Sequence, residues 1–260
     1  MRLADEPTDT VLRIATELKL PHNSVVTAIG SVAESTFWEP DYFRLFLSHL
    51  TIFKKETARL QRSLRPFGVS AFVAHVDIEP TREWMREIEL GLLSMDAMAA
   101  IVMPGFKPSS WTDQEVGVAM GRNVLVVPVL RGCDPHGFLS KYQGLRAEGL
   151  TVGQVAHGVA DILGRHDRTS ARLISVLTSL VAASNTEEEA IHKLVFLGSI
   201  NISPASATQL REVVSQNDVL RASAGVRDQL NAILRKRSIP ELGEVGLSAG
   251  DFDDWTDFPF

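Results

Sequence analysis

The sequence predicts an α/β fold: an open, doubly wound parallel sheet followed by a smaller all-helical region. Three observations carry that expectation. Compact apolar runs alternate with longer amphipathic segments across residues 41–166, which is the pattern of successive βαβ units. Each run is almost continuously apolar, as a parallel strand buried on both faces has to be. After Arg168 such runs cease, and only helical periodicity continues.

Residues 1–40 are expected to form a short helical extension. Thr8 or Asp9 can cap a segment with Val11, Leu12, Ile14, Ala15 and Leu18 at helical spacing; Pro21 interrupts it, and a second apolar stretch runs from Val25 to Val32. Strands follow at FRLFLS (43–48), VSAFVAHV (69–76), AMAAIVM (97–103) and NVLVVPVL (123–130), with helices near 52–65, 81–94 and 110–122. Right-handed crossovers then set the strand order 2-1-3-4, and a helix from Val152 to Leu163 closes the unit.

A boundary is expected at 166–170, so that residues 167–240 form a helical C-terminal domain. Its helices are Ala171 to Ala183, Thr186 to Phe196 and Ala205 to Leu234, the last broken around Gly225. Thr186 starts its helix with Glu187, Glu188 and Glu189 in the first turn, where carboxylates complement the helix dipole. Residues 241–260 make an acidic, aromatic tail ending DFDDWTDFPF. It is either a floppy tail or a docking peptide; four aromatic rings in water favour docking.

Composition narrows the function classes. The chain has 260 residues, 45% hydrophobic and 22% charged, enough for one full domain and a smaller second one. A net charge of −6 argues against broad nucleic-acid binding, which depends on neutralising phosphates with Lys and Arg. Cys133 is the single cysteine, so no internal disulfide forms and a reducing cytoplasm is expected. The opening MRLADEPTDTVLRIATEL lacks the long apolar core of a secretory leader, and no apolar run reaches the roughly 18 residues that span a bilayer. No membrane association is expected. The seven histidines show no metal-ligand spacing, and no GxSxG elbow or phosphate-binding GxxxxGK[ST] loop occurs. Gly117 and Gly121 lie inside a helix and do not form a dinucleotide fingerprint, so neither a metal nor a resident cofactor is expected.

In open α/β sheets ligands bind beyond the carboxyl ends of the strands, where strand order reverses. Here that crevice is bounded by Ser48, His49, Leu50 and Thr51 after strand one and by Pro104 to Trp111 after strand three, with Asp77 after strand two. In SSWTDQEVGVAMGRN, Ser110 and Asp113 resemble a capping box opening a helix, and Trp111 and Glu115 stand one turn apart on one face. Two readings fit that pair: an aromatic plate and a carboxylate facing a ligand, or a core Trp beside a solvated Glu. Spacing alone favours the second.

The ordered set of segments resembles the Toll/interleukin-1 receptor (TIR) domain over residues 41–166. The features that carry the resemblance are FLSH ending the first strand, Asp77 after VSAFVAHV, the loop 78–82 leading to Trp84, and Ser109, Trp111 and Glu115 in a Ser-x-Trp-x-x-x-Glu segment. DPHGFLSKYQGL (134–145) looks like bacterial TIR proteins rather than receptor adaptors. The resemblance implies a flavodoxin-like sheet and a nucleotide-sugar hydrolase that cleaves NAD as substrate. Glu115 matches the catalytic glutamate. Ser48, His49, Leu50, Asp77, Trp84 and Trp111 fall on substrate-binding positions, Trp84 as an aromatic wall or equally as a buried helix anchor.

The resemblance further implies a homo-oligomer built through TIR loops, with the C-terminal helices free to engage a sensor or activator partner in antiphage defence or nucleotide signalling. This sequence departs from the pattern directly after strand one. His49, Leu50 and Thr51 stand where many enzymatic members carry basic residues, and Lys54 and Lys55 come later. Two other roles remain open on the same fold: a non-enzymatic scaffold for protein contacts, and a sensor that binds a nucleotide signal without cleaving it.

Overall fold

The computed structural model describes residues 37–73, 82–107 and 109–243, with the backbone alone for residues 82–84. The helices expected within residues 1–36, the acidic residue Asp77 with the loop after it, and the tail from residue 244 onward lie outside the described residues. The chain divides into two compact units, with the break between Ser170 and Ala171.

The first unit is a five-stranded parallel sheet flanked by helices. In chain order it comprises β1 (Phe43–Ser48), α1 (Lys54–Leu64), β2 (Val69–Phe72), α2 (Arg82–Ser94), β3 (Ala97–Val102), α3 (Ser110–Gly121), β4 (Leu125–Leu130), β5 (Leu145–Arg146) and α4 (Val152–Arg165). The strand order is β2-β1-β3-β4-β5, every pair parallel, so the order reverses between β1 and β3. Ser48 pairs with Ala100 and Val102 with Leu130, which sets the carboxyl ends of β1, β3 and β4 along one edge.

All six residues of β3 and all six of β4 are buried, as the continuous apolar runs require. Phe46, Met98, Val102, Phe106 and Val116 belong to one core cluster. Full burial of each large side chain contributes about 1.5–3 kcal/mol. Trp38 and Phe72 close one end of this core with ring centroids 6.0 Å apart, and Trp38 Nε1 donates to Ser94 Oγ at 2.8 Å.

The fifth strand was not expected from the sequence, because two residues are too few to show a period. Gly144 permits its approach: a Cβ there would lie 2.8 Å from Leu130 Cγ and 2.9 Å from the Pro128 carbonyl oxygen. α4 opens with a capping box. Gln154 N donates to Thr151 Oγ1 at 3.3 Å, and Thr151 N donates to Gln154 Oε1 at 2.9 Å.

The second unit is helical in its described part: α5 (Ser170–Ala182), α6 (Glu187–Ser199), α7 (Pro204–Gln216), α8 (Asp218–Ala222) and α9 (Ala224–Arg235). Thr186 caps α6 by accepting from Glu189 N at 3.3 Å. The helix expected over 205–234 with a break around Gly225 is three: one break falls at Ser223, two residues before Gly225, and a second, not expected, at Asn217. Both break residues are short polar caps: Asn217 Oδ1 accepts from Leu220 N at 3.1 Å and Ser223 Oγ from Val226 N at 3.1 Å. Gly225 lies inside α9, where a Cβ would run into Glu187 Oε1 and lie 3.0 Å from Ile191 Cδ1. Glycine there serves the close approach of α9 to α6, a tertiary cause that local sequence does not reveal.

Candidate functional site

α3 presents Thr112, Glu115, Val116 and Ala119 as its buried stripe. These positions follow the i, i+3, i+4, i+7 spacing of a core-facing helix surface. A carboxylate therefore occupies a place where the pattern calls for an apolar residue. Glu115 is 8% exposed, and Ser48, with no exposed surface, donates its Oγ to Glu115 Oε2 at 2.6 Å. Residues 48 and 115 meet at the switch between β1 and β3, because α3 follows β3 directly and packs back over β1.

The start of α3 is fixed by Ser109, not by Ser110. Ser109 is the N-cap and accepts from Thr112 N at 3.4 Å, whereas Ser110 is the first helical residue. The proposed Ser110–Asp113 box is thus one residue out of phase. Thr112 Oγ1 donates to the Phe106 carbonyl at 3.0 Å, tying the helix to the loop after β3, and Phe106 is wholly buried. Leu50 meets that loop from the β1 side: a Cβ on Gly105, whose φ is +95°, would lie 3.3 Å from Leu50 Cδ1. The two loops bounding the crevice are in contact.

Burial pushes the Glu115 carboxyl up to about 7, against the smaller opposing pull of the Ser48 hydrogen bond, which favours the anion. His49 is shifted the other way. Burial lowers its pKa, the Leu47 carbonyl raises it, and the charge of Lys54 lowers it further. His49 Nδ1 donates to the Leu47 carbonyl at 2.9 Å, since a carbonyl only accepts. The neutral ring then carries its lone pair on Nε2, a buried atom with no hydrogen-bond partner among the described residues.

Of the residues singled out from sequence, Ser48, His49, Leu50 and Glu115 gather at this strand end. Trp111 is 45% exposed, so the pair one turn apart divides between surface and interior, with the tryptophan outside and the glutamate inside. That is the reverse of a core Trp beside a solvated Glu. Asp77 lies outside the described residues, and for Trp84 the backbone within α2 is described and the side chain is not. Among the described residues no group of His, Cys, Asp and Glu is placed to hold a metal ion, and no helix is long and apolar enough to cross a membrane.

Two residues escaped the sequence reading. Arg131, the first residue after β4, stacks its guanidinium 4.8 Å from the centroid of Phe53, in the turn after β1. His136 Nε2 lies 3.1 Å from Asp113 Oδ1 in the first turn of α3, with its ring edge-on to Phe106. The rule that ligands lie beyond strand carboxyl ends would have pointed to Arg131. No local pattern marks His136.

Residues 45–155 match the family model of the TIR domain. This region is a TIR domain. No curated protein and no solved structure matches the chain. TIR domains include NAD-cleaving enzymes and non-enzymatic scaffolds, and Glu115 and Ser48 both lie inside the matched region of this one.

Proposed function

We propose that this TIR domain cleaves the bond between nicotinamide and ribose in NAD, with Glu115 as its catalytic carboxylate. The observation that carries the proposal is a buried glutamate held by a buried serine at the strand-order switch of the sheet. In such a crevice a developing positive charge on the ribose meets a preorganised carboxylate in low-dielectric surroundings. Glycoside hydrolysis passes through a similar oxocarbenium-like state, usually with a second carboxyl group to protonate the leaving oxygen. Nicotinamide needs no such acid. It carries a positive charge in NAD and leaves as a neutral base, taking the electron pair of the breaking C1′–N bond.

Glu115 acts in its ionised form. Its elevated pKa leaves it about half ionised near pH 7, and a cationic substrate alongside shifts it further towards the anion. Water then attacks C1′ and loses a proton to give ADP-ribose; attack by the adenine ring instead gives a cyclic isomer. Trp111 offers a surface ring for stacking. Arg131 places a cation at the same edge of the sheet for the diphosphate, where the residues directly after β1, His49 to Thr51, supply none.

In this proposal the domain self-assembles through its loops, works in the cytoplasm, and serves bacterial antiphage defence or nucleotide signalling, with the C-terminal helices engaging a sensor or activator. The test is to incubate the full chain with NAD at high protein concentration and follow nicotinamide, alongside Glu115→Ala. Release by the wild type and its loss in a folded variant supports the proposal; no release even at high concentration rejects it. The scaffold alternative rests on Ile52 and Phe138, 83% and 68% exposed on the TIR domain. Apolar side chains so exposed suit protein contacts.

A further inference from the structure

Ser48 fell, by resemblance, on a substrate-binding position, and its surroundings point elsewhere. It ends β1 paired with Ala100 of β3, has no exposed surface, and directs its hydroxyl at Glu115 Oε2 at 2.6 Å. A hydroxyl with no surface has nothing to offer a ligand directly. What it does is fix one oxygen of the carboxylate, Oε2.

We propose that Ser48 is a positioning residue: its buried hydroxyl holds Glu115 in one orientation before substrate arrives and keeps it there through the reaction. This rests on the NAD-cleaving role of the domain. The physical logic is preorganisation. A glutamate side chain has three rotatable bonds, and one anchored oxygen removes most of that freedom before the reaction begins. The same bond favours the anion over the acid, because an O–H donor stabilises the charged form.

Other charges do little at this position. The causes acting on Glu115 are burial and the Ser48 hydrogen bond alone. On the elements packed against α3, Arg86, Glu87 and Glu89 of α2 are exposed. His49 follows β1, with burial lowering its pKa. Asp113, on α3 itself, faces outward to His136, and Arg122 at the end of α3 donates to the carbonyls of Leu92 and Met95. Of the described groups, only Ser48 forms a bond that tunes the carboxylate.

The experiment uses the full chain and two readouts on Ser48→Ala: kcat and KM for nicotinamide release from NAD across pH, and a carbon-13 titration of the Glu115 carboxyl. A positioning role predicts that kcat falls about ten- to a hundredfold, the worth of one hydrogen bond to a charged group. It also predicts that KM stays within about twofold. The Glu115 midpoint and the acid limb of kcat/KM both move to higher pH. A rise in KM with kcat and the pH profile unchanged would make Ser48 a substrate contact and overturn the proposal, as would a Glu115 midpoint that stays put. Wild-type protein that releases no nicotinamide rejects the NAD role by itself; the carboxyl titration, which needs no turnover, still decides whether Ser48 controls Glu115.

Discussion

In the helical unit the hydroxyls of Thr178 and Ser184 donate to carbonyls four residues back, Thr178 Oγ1 to that of Ile174 at 2.8 Å and Ser184 Oγ to that of Leu180 at 2.8 Å. In the TIR domain the buried hydroxyl of Ser48 reaches across 67 residues to a carboxylate. Satisfying a helix carbonyl four residues back adds little beyond local comfort. Burying an ionisable group is another matter, because it weakens the fold whenever the group is charged. Among the described residues, the carboxyl that burial pushes upward is Glu115, in the TIR domain. In the helical unit, among the described residues, Arg211 Nε is the side-chain nitrogen or oxygen that is buried without a hydrogen-bond partner. The buried carboxyl bonded to Ser48 is the feature on which the proposed chemistry of the TIR domain rests.

Core truncations sharpen the contrast most. Phe46 and Leu230 are both fully buried, one in each unit. Phe46→Ala should cost about 3–5 kcal/mol and Leu230→Ala about 2–5 kcal/mol, measured by urea unfolding. Leu230→Ala should leave nicotinamide release per folded molecule unchanged. A drop in that rate would show that the helical unit takes part in turnover.

The next effect has the opposite sign. A carboxyl raised to about 7 from an ordinary 4.5 is favoured by folding only while protonated. Its contribution is complete below 4.5 and is lost as pH rises through about 7, so above that the buried charge is a burden. Glu115→Gln should therefore stabilise the chain at pH 8 by up to about 3 kcal/mol. The gain should shrink as pH falls towards 4.5. Stability lost at pH 8 would mean that the charge is well compensated in the fold.

Smallest are the helix caps, which should behave alike in both units. Thr151 and Thr186 each accept from a backbone N–H at 3.3 Å. Replacing either with Ala should cost about 1 kcal/mol in thermal unfolding. A much larger loss at Thr151 alone would tie the end of the TIR domain to more than its own helix.

What was legible in the sequence follows physical range. β3 and β4 show in continuous apolar runs because burial on both faces dictates every residue, β1 in a run interrupted by Arg44 and ended by Ser48, and the strand order follows from right-handed crossovers. The crevice could be placed by the strand-end rule alone. β5 is hidden from the sequence because its two residues owe their pairing to the space left by Gly144, and the break at Asn217 because a one-residue polar cap leaves the helical periodicity around it intact. Within the site, Glu115 was found but its burial was not. The stripe Thr112, Val116 and Ala119 marks the buried face on which Glu115 lies, and Trp111 stands off it. The Ser48–Glu115 bond joins positions that only the fold brings together.

The central claim is that Glu115, in its ionised form, cleaves NAD. Nicotinamide release by the full chain, followed from pH 5 to pH 9 beside Glu115→Gln, tests it most directly. The expected kcat/KM for the wild type rises through a midpoint near pH 7, where burial places the Glu115 carboxyl, and Glu115→Gln lies at least about a hundredfold below the wild type on the plateau above that midpoint. A Glu115→Gln protein that releases nicotinamide at the wild-type rate would contradict it.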